Sequence, residues 1–385
     1  MGNWKRSETD SRRVIIVDFQ HLAYSYAFGG ATALSSTLNI DGVPTVVDTT
    51  IPAYTIKTLH RWADGGRNPL AVCFDSKDCA RSRKAYFEQF KNETDECDAL
   101  TDDGYKASRE SQDGKFYDGI NITANILYKA GISCFKAEGY EADDLVFACV
   151  KRCKELYPDL PIDVFTGDAD LLPLVDDQVS VFHRSRKSTW AEDKSIERPH
   201  YFQVRPYNFQ SYVEGLTSYK TIKVPYNTLL LAKLLRGDKS DGVTGKKDWK
   251  PKMYGQLLDL LEEDGYDLGE LFRYGENTET YVYRDTQEPI PEDLIATTTR
   301  EQMMIKYGDP VELTRLCDIL SNYVEEKDIN HIRNVYRGIN LNTAFVNVPE
   351  RFKRRPAKLT NEIKGYDMVK LATEVSVLKI RLPLV

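Results

Sequence analysis

Apolar residues in the first half of the chain follow two alternating patterns. Short, nearly unbroken apolar runs occur at VIIVD (14–18), LAVCFD (70–75), ISCFKA (132–137), IDVFTGD (162–168) and VSVFH (179–183). Such runs predict strands buried on both faces. Between them, 52–63, 117–130 and 141–156 carry helical spacing. In 117–130, Ile120, Ala124, Leu127 and Tyr128 share one face, and Gly131 ends the helix. In 141–156, Leu145, Val146, Cys149, Val150, Cys153 and Leu156 form one stripe. Strands alternating with helices predict an α/β fold with a mostly parallel sheet and flanking helices.

Two segments interrupt this order. Residues 76–116 are highly charged and carry no buried strand pattern, and 184–226 are rich in Tyr, Arg and Pro and read as an insertion. After Asn227 the pattern turns helical, with TLLLAKLLRG (228–237), a glycine- and lysine-rich turn and MYGQLLDLLEEDG (253–265). Residues 266–350 read as mixed but mainly helical, 351–358 (RFKRRPAK) as a basic run, and 359–385 give no clear signal. The expected units are 1–226, a helical 227–350, and a basic segment with tail at 351–385.

Composition narrows the class. A chain of 385 residues, at about 150 per domain, suggests two or three domains. Its 41% hydrophobic and 29% charged residues are ordinary for a soluble folded protein. No apolar stretch reaches membrane-spanning length, and MGNWKRSETDSRR lacks an apolar signal core. Arg6 stands where myristoylation would need Ser or Thr. A cytoplasmic location, without membrane contact, is therefore expected. The net charge of −7 means that any nucleic-acid binding needs local basic surfaces or metal ions. The seven cysteines contain no CxxC pair and read as reduced, buried thiols, and the five histidines lack zinc-site spacing.

The chemistry lies in the carboxylates. Three apolar runs end in Asp18, Asp75 and Asp168. In a parallel sheet such ends share one edge, where ligands bind at the switch in strand order. GYEADD places Glu141, Asp143 and Asp144 at a helix start, where ordinary capping accounts for them equally well. TGDAD adds Asp170, and GDKSD adds Asp238 and Asp241, which alone would read as a solvated turn. Packed together, these acids would repel strongly without cations. Mg²⁺ takes a few carboxylates and leaves room for phosphate oxygens. Two such ions about 4 Å apart are the usual device for in-line phosphodiester hydrolysis, with no histidine or serine nucleophile needed.

VDFQHLAYS, FDSKDCARSRKAYFEQFKN, YEADDL, TGDADLLPLV and LLRGDKSDGV occur in the order found in 5′-nucleases of the flap endonuclease family. The chain resembles that family over roughly 14–250 and more weakly over 300–350, most of all its bacteriophage ribonuclease H type. The resemblance implies a PIN-like nuclease domain, a helical arch over the active site, and a mainly helical C-terminal domain with a helix–turn–helix element. It implies two Mg²⁺ ions, replaceable by Mn²⁺, and removal of RNA primers and flaps from 5′ ends during phage DNA replication. Asp18, Asp75, Asp143 and Asp168 match ligands of the first metal. Asp170, Asp238 and Asp241 match the second, with Glu141 and Asp144 nearby or shared through water.

Further roles follow from the same resemblance. Arg81, Arg83, Lys84 and Lys91 match basic positions of the arch. Arg83, Lys84 and Lys91 are its catalytic candidates alongside Asp168, with Lys91 on the scissile phosphate. Glu93 and Thr94 stand where the family often has an arginine, and Lys106 or Arg109 would substitute. Gly242 and Gly245 shape a turn gripping duplex backbone, with Lys246, Lys247, Lys250 and Lys252 supplying charge. The family's GIGxKTA-like hairpin core is missing there, so a K⁺ site is not carried over. The expected partners are DNA and RNA–DNA hybrids with 5′ ends or flaps, and a single-strand-binding protein or sliding clamp, for a monomeric enzyme. Tyr24, Tyr26 and Phe28 are either base-stacking residues or core.

Rival readings fit less well. An aspartyl phosphatase would need a second Asp where Gln20 stands, and no P-loop sequence exists. A PIN-type single-strand ribonuclease and a catalytically inactive structure-specific DNA-binding protein remain the alternatives.

Overall fold

The computed structural model describes residues 12–40, 42–76, 114–184, 201–209, 211–212, 308–322, 325–339 and 363–382, with isolated positions between these segments. The sheet strands in chain order are β1 (Val14–Asp18), β4 (Leu70–Cys73), β5 (Ser133–Phe135), β6 (Ile162–Thr166), β7 (Val179–His183) and β8 (Phe202–Val204). A separate hairpin, β2 (Ser35–Ile40) with β3 (Val43–Asp48), lies between the first two. The helices among them are α1 (Phe19–Ala27), α2 (Thr50–Trp62), α3 (Gly114–Lys129) and α4 (Ala142–Leu156). Further along are β9 (Tyr281–Tyr283), β10 (Gly308–Pro310), α5 (Val311–Ser321), α6 (Glu326–Ile339) and α7 (Met368–Ser376).

The sheet order is β5-β4-β1-β6-β7-β8, parallel except for β8, which runs antiparallel to β7. The chain leaves β1 toward β4 and β5, then crosses back to β6 and β7 on the other side. The direction of winding therefore reverses at β1 and β6, and the carboxyl ends of these two strands are where such sheets bind ligands. Register fixes which residues meet there: Asp18 lies opposite Cys73, and Thr166 opposite His183. Every residue of β1, β4, β6 and β7 is buried, as their unbroken apolar runs require.

The helices obey local rules. Asp18 caps α1, its side chain accepting from the His21 amide. α3 ends in a paired closure, with Ile132 N–H to Leu127 C=O and Gly131 N–H to Tyr128 C=O. That arrangement puts Gly131 at φ +80°, a conformation suited to glycine. Two apolar clusters cover the sheet. One gathers α4 with α5 and α6, the other α1, α2 and α3.

Three features depart from the sequence reading. The β2–β3 hairpin was not expected. The 184–226 insertion contributes β8, which extends the sheet. The C-terminal tail also carries structure: Tyr366, Leu371, Val375, Leu378 and Ile380 enter the same apolar cluster as α1–α3. It is stitched down by Leu70 N–H to Lys364 C=O at 3.3 Å, Tyr366 Oη with His60 Nδ1 at 2.9 Å, and Ser36 Oγ to Leu378 C=O at 2.6 Å. Tyr157 Oη also donates to Ile363 C=O. Residues 363–380 are thus part of the first unit's core and not a separate tail. The approach is close enough to demand glycine twice: a Cβ on Gly365 would sit 2.3 Å from Gly66 O, and one on Gly66 2.4 Å from Tyr366 O.

Candidate metal centre

Each strand that supplies an acid stops just before or at it, so the carboxylates stand at the sheet's carboxyl edge. Asp18 ends β1. β4 stops at Cys73, two residues earlier than its apolar run suggests, which puts Asp75 beyond the sheet. β6 stops at Thr166, which puts Gly167 and Asp168 beyond it, followed by a short 3₁₀ turn, Ala169–Leu174. α4 begins at the same edge, and Asp75 Oδ1 accepts from its first amide, Ala142 N–H, at 2.7 Å. That hydrogen bond joins the end of β4 to the positive end of a helix.

Thr166 links the two central strands. Its hydroxyl donates to Asp18 Oδ2 at 3.0 Å and accepts from Asp168 N–H at 2.9 Å. Asp18 Oδ1 accepts from His21 N–H at 3.3 Å, and Asp168 Oδ1 from Asp170 N–H at 2.9 Å. At the start of α4, Asp144 Oδ2 accepts from Glu141 N–H at 3.1 Å, and Asp143 Oδ1 from Asp144 N–H at 2.8 Å. Ser76 holds the preceding loop by accepting from Gly139 N–H and donating to Tyr140 C=O.

Glu141, Asp143 and Asp144 are all buried, and one carboxylate oxygen from each lies within 4.8 Å of the others. An all-oxygen, anionic donor set of this kind fits a hard divalent cation such as Mg²⁺ or Mn²⁺ and does not suit a soft metal. Asp18 is also buried, at the same edge of the sheet.

Two histidines flank the acidic turn. A Cβ at Gly167 would fall 1.7–2.2 Å from the His21 ring, so that ring occupies the space a larger residue would need. Tyr201 meets His21 edge-on, with ring centroids 6.2 Å apart. His183, at the end of β7, shares a 2.7 Å hydrogen bond between Nδ1 and Tyr212 Oη. Burial lowers the His183 pKa to about 4, against the opposing pull of a hydrogen bond to the Gly167 backbone and the charge of Asp170. Burial likewise pushes the Tyr212 and Tyr201 hydroxyls up.

The sheet edge therefore gathers Asp18, Asp75, Glu141, Asp143, Asp144, Asp168 and Asp170. Lys84 is an exposed helical residue. Arg81, Arg83, Lys91, Asp238, Asp241, Gly242, Gly245, Lys246, Lys247, Lys250 and Lys252 lie outside the described residues. Tyr26 is core, bonded to Thr58, whereas Phe28 is 51% exposed with Tyr24 against it at 4.6 Å. Cys73, Cys149, Cys153 and Cys317 are buried and not in disulfides, and burial raises the pKa of Cys149 and Cys153. Cys79 and Cys134 are half-buried. Sequence reasoning missed Thr166, Ser76, His21, His183, Tyr201 and Tyr212. For Thr166 the T-x-D spacing at a strand end was an available signal.

Residues 13–200 match the profile of the 5′-3′ exonuclease N-terminal, resolvase-like domain. That segment is similar to the N-terminal domain of 5′-3′ exonucleases. The chain is 29% identical over 194 residues to DNA polymerase I of Caldicellulosiruptor bescii, covering 49% of this chain and 18% of that protein. It is 28% identical over 164 residues to a 5′-3′ exonuclease of Mycoplasma pneumoniae, covering 42% of this chain and 47% of the relative. The chain thus spans less than half the length of these curated relatives. Among solved structures, T5 5′-exonuclease with bound zinc ions aligns over 96% of this chain and 99% of its own, at 14% identity and a TM-score of 0.45. Among the described residues, no helix is long and apolar enough to cross a membrane.

Proposed function

We propose that the chain is a divalent-metal-dependent 5′-nuclease that hydrolyses phosphodiester bonds in DNA and RNA–DNA duplexes bearing 5′ ends or flaps. The observation carrying this reading is the convergence of seven acids from four segments on one edge of an exonuclease-family sheet, three of them within 4.8 Å. Asp18, Asp75, Asp143 and Asp168 would hold a first ion. Asp170, joined by Asp238 and Asp241, would hold a second, with Glu141 and Asp144 alongside. Bound Mg²⁺ supplies a water of lowered pKa and neutralises charge on the phosphate.

The chain's own part is to fix the carboxylates before substrate arrives. Backbone amides at His21, Ala142, Asp144 and Asp170 hold Asp18, Asp75, Asp143 and Asp168 in place. Lys91, Arg83 and Lys84 in the arch segment would face the phosphate, and the lysine-rich turn at 242–252 would grip the duplex backbone. We assign the activity to primer and flap removal in bacteriophage DNA replication.

The test uses 5′-labelled flap, nicked and RNA-primed duplexes with Mg²⁺, Mn²⁺ or chelator. Cleavage from the 5′ side with either ion, none with chelator, and loss of cleavage with retained binding in Asp168→Asn are expected. Cleavage in chelator, or full activity of Asp168→Asn, would refute the reading.

A further inference from the structure

Residues 201–212, within the 184–226 insertion, hold two tyrosines, each seated on one of the two histidines that flank the acidic turn. Tyr201 packs edge-on to His21, whose ring fills the space over Gly167. Tyr212 bonds His183 Nδ1 at 2.7 Å, and β7 pairs His183 with Thr166, the residue that precedes Gly167, in register. Tyr212 is itself fixed, stacked on Phe202 at 4.9 Å with planes 9° apart. β8, which carries Phe202, pairs His183 with Phe202 in register. The turn bearing Asp168 and Asp170 is thus held from two sides by Tyr–His pairs. None of these four rings offers a carboxylate, and none belongs to the donor set.

We propose that Tyr201–His21 and Tyr212–His183 are positioning pairs that set the Gly167 turn, and through Asp168 and Asp170 the affinity of the metal centre. This inference rests on the proposed metal-dependent reading. It gives this part of the insertion a role: packing of 201–212 against the sheet sets metal affinity without contributing a ligand. Partners that only orient ligands typically change metal affinity by about 10- to 100-fold when removed.

The experiment measures Mn²⁺ binding to the full chain by calorimetric titration, beside urea unfolding in chelator. Tyr212→Phe keeps the stack on Phe202 and removes only the hydroxyl. Tyr201→Leu removes the ring edge from His21. Tyr157→Phe is the control, since it deletes a hydroxyl bonded to Ile363, in a different part of the domain. All three variants are expected to lose some stability in chelator. Only Tyr212→Phe and Tyr201→Leu should weaken Mn²⁺ binding, by about tenfold, with the cleavage rate recovering at saturating Mn²⁺. Wild-type Mn²⁺ affinity in both variants would overturn the inference while leaving the nuclease reading intact. A wild-type chain with no saturable Mn²⁺ binding would overturn the nuclease reading and this inference with it.

Discussion

Replacing Asp143 with Asn separates a metal site from a helix cap, because the two readings give stability changes of opposite sign. Asp143 stands with Glu141 and Asp144, with oxygens within 4.8 Å of one another, all buried. At that distance and an effective dielectric of about 20, each like-charge pair costs about 3 kcal/mol, falling to about 1 kcal/mol where water screens it. Asp143 takes part in two such pairs, so Asn relieves about 2–6 kcal/mol of repulsion in the metal-free chain. Against this stand about 1 kcal/mol from the macrodipole of α4 and a similar loss as the Asp144 N–H bond turns from ionic to neutral. The expected result is a metal-free variant about 0–4 kcal/mol more stable than wild type, and not less stable. With Mg²⁺ the difference shifts toward wild type: at about 100 times the dissociation constant a bound ion adds about 2.7 kcal/mol to wild type, and the variant gains far less. Urea unfolding with chelator and with Mg²⁺ reads both. An Asn variant less stable than wild type in chelator would refute the repulsion argument and leave Asp143 as a helix-capping residue.

Three further outcomes are expected. Thr166→Val keeps the shape but removes both hydrogen bonds between Asp18 and the Asp168 backbone, and should cost about 1–3 kcal/mol in urea; an unchanged midpoint would show that the hydroxyl does not link the strands. Gly365→Ala places a methyl 2.3 Å from the Gly66 carbonyl oxygen, so the C-terminal segment should detach and become open to limited proteolysis, at a cost of about 1–3 kcal/mol; a wild-type digestion pattern would refute the tight seating. His183, buried with a pKa of about 4, is neutral in the fold but gains a proton on unfolding once pH drops below its ordinary value of about 6.5. Its contribution is therefore complete above pH ~6.5 and lost as pH falls toward ~4, by about 3 kcal/mol in all, so His183→Gln should flatten the acid limb of stability against pH, and parallel limbs would refute the assignment.

The sheet was legible because strands buried on both faces must be apolar throughout, and a carboxylate closing such a run is conspicuous. Asp18, Asp75 and Asp168 were readable for that reason, and parallel topology then implied that they converge. β8 was not legible: it has three residues, of which Phe202 and Gln203 are only half-buried. The β2–β3 hairpin carried a signal that went unused, since Asp41-Gly42 between two short runs is a two-residue hairpin loop. α7 buries only Leu371 and Val375, too narrow a stripe to stand out, although Asp367 caps it by accepting from Val369 N–H. His21 and His183 lie 162 positions apart and on different elements (183 − 21). Their shared neighbour, Gly167, becomes apparent only once β1, β6 and β7 lie side by side.

The hydrogen bonds at the acidic edge raise a rival explanation, since nearly every carboxylate there also serves as a cap. Asp18 receives the His21 amide, Asp75 that of Ala142, Asp143 that of Asp144, and Asp168 that of Asp170. Serine, threonine or asparagine would cap these positions about as well and carry no charge. Elsewhere in the same domain a neutral side chain does such work: Ser76 holds the loop before α4 through Gly139. Using aspartate at each position on one sheet edge adds mutual repulsion and no capping strength. Surface carboxylates avoid that repulsion by spreading into water, but Asp18, Glu141, Asp143 and Asp144 are buried. Positive charge among the acids, as a bound cation or as protons, relieves that repulsion. The backbone amides then have a second consequence: they hold the carboxylates in position before a cation arrives, so less ordering is required on binding.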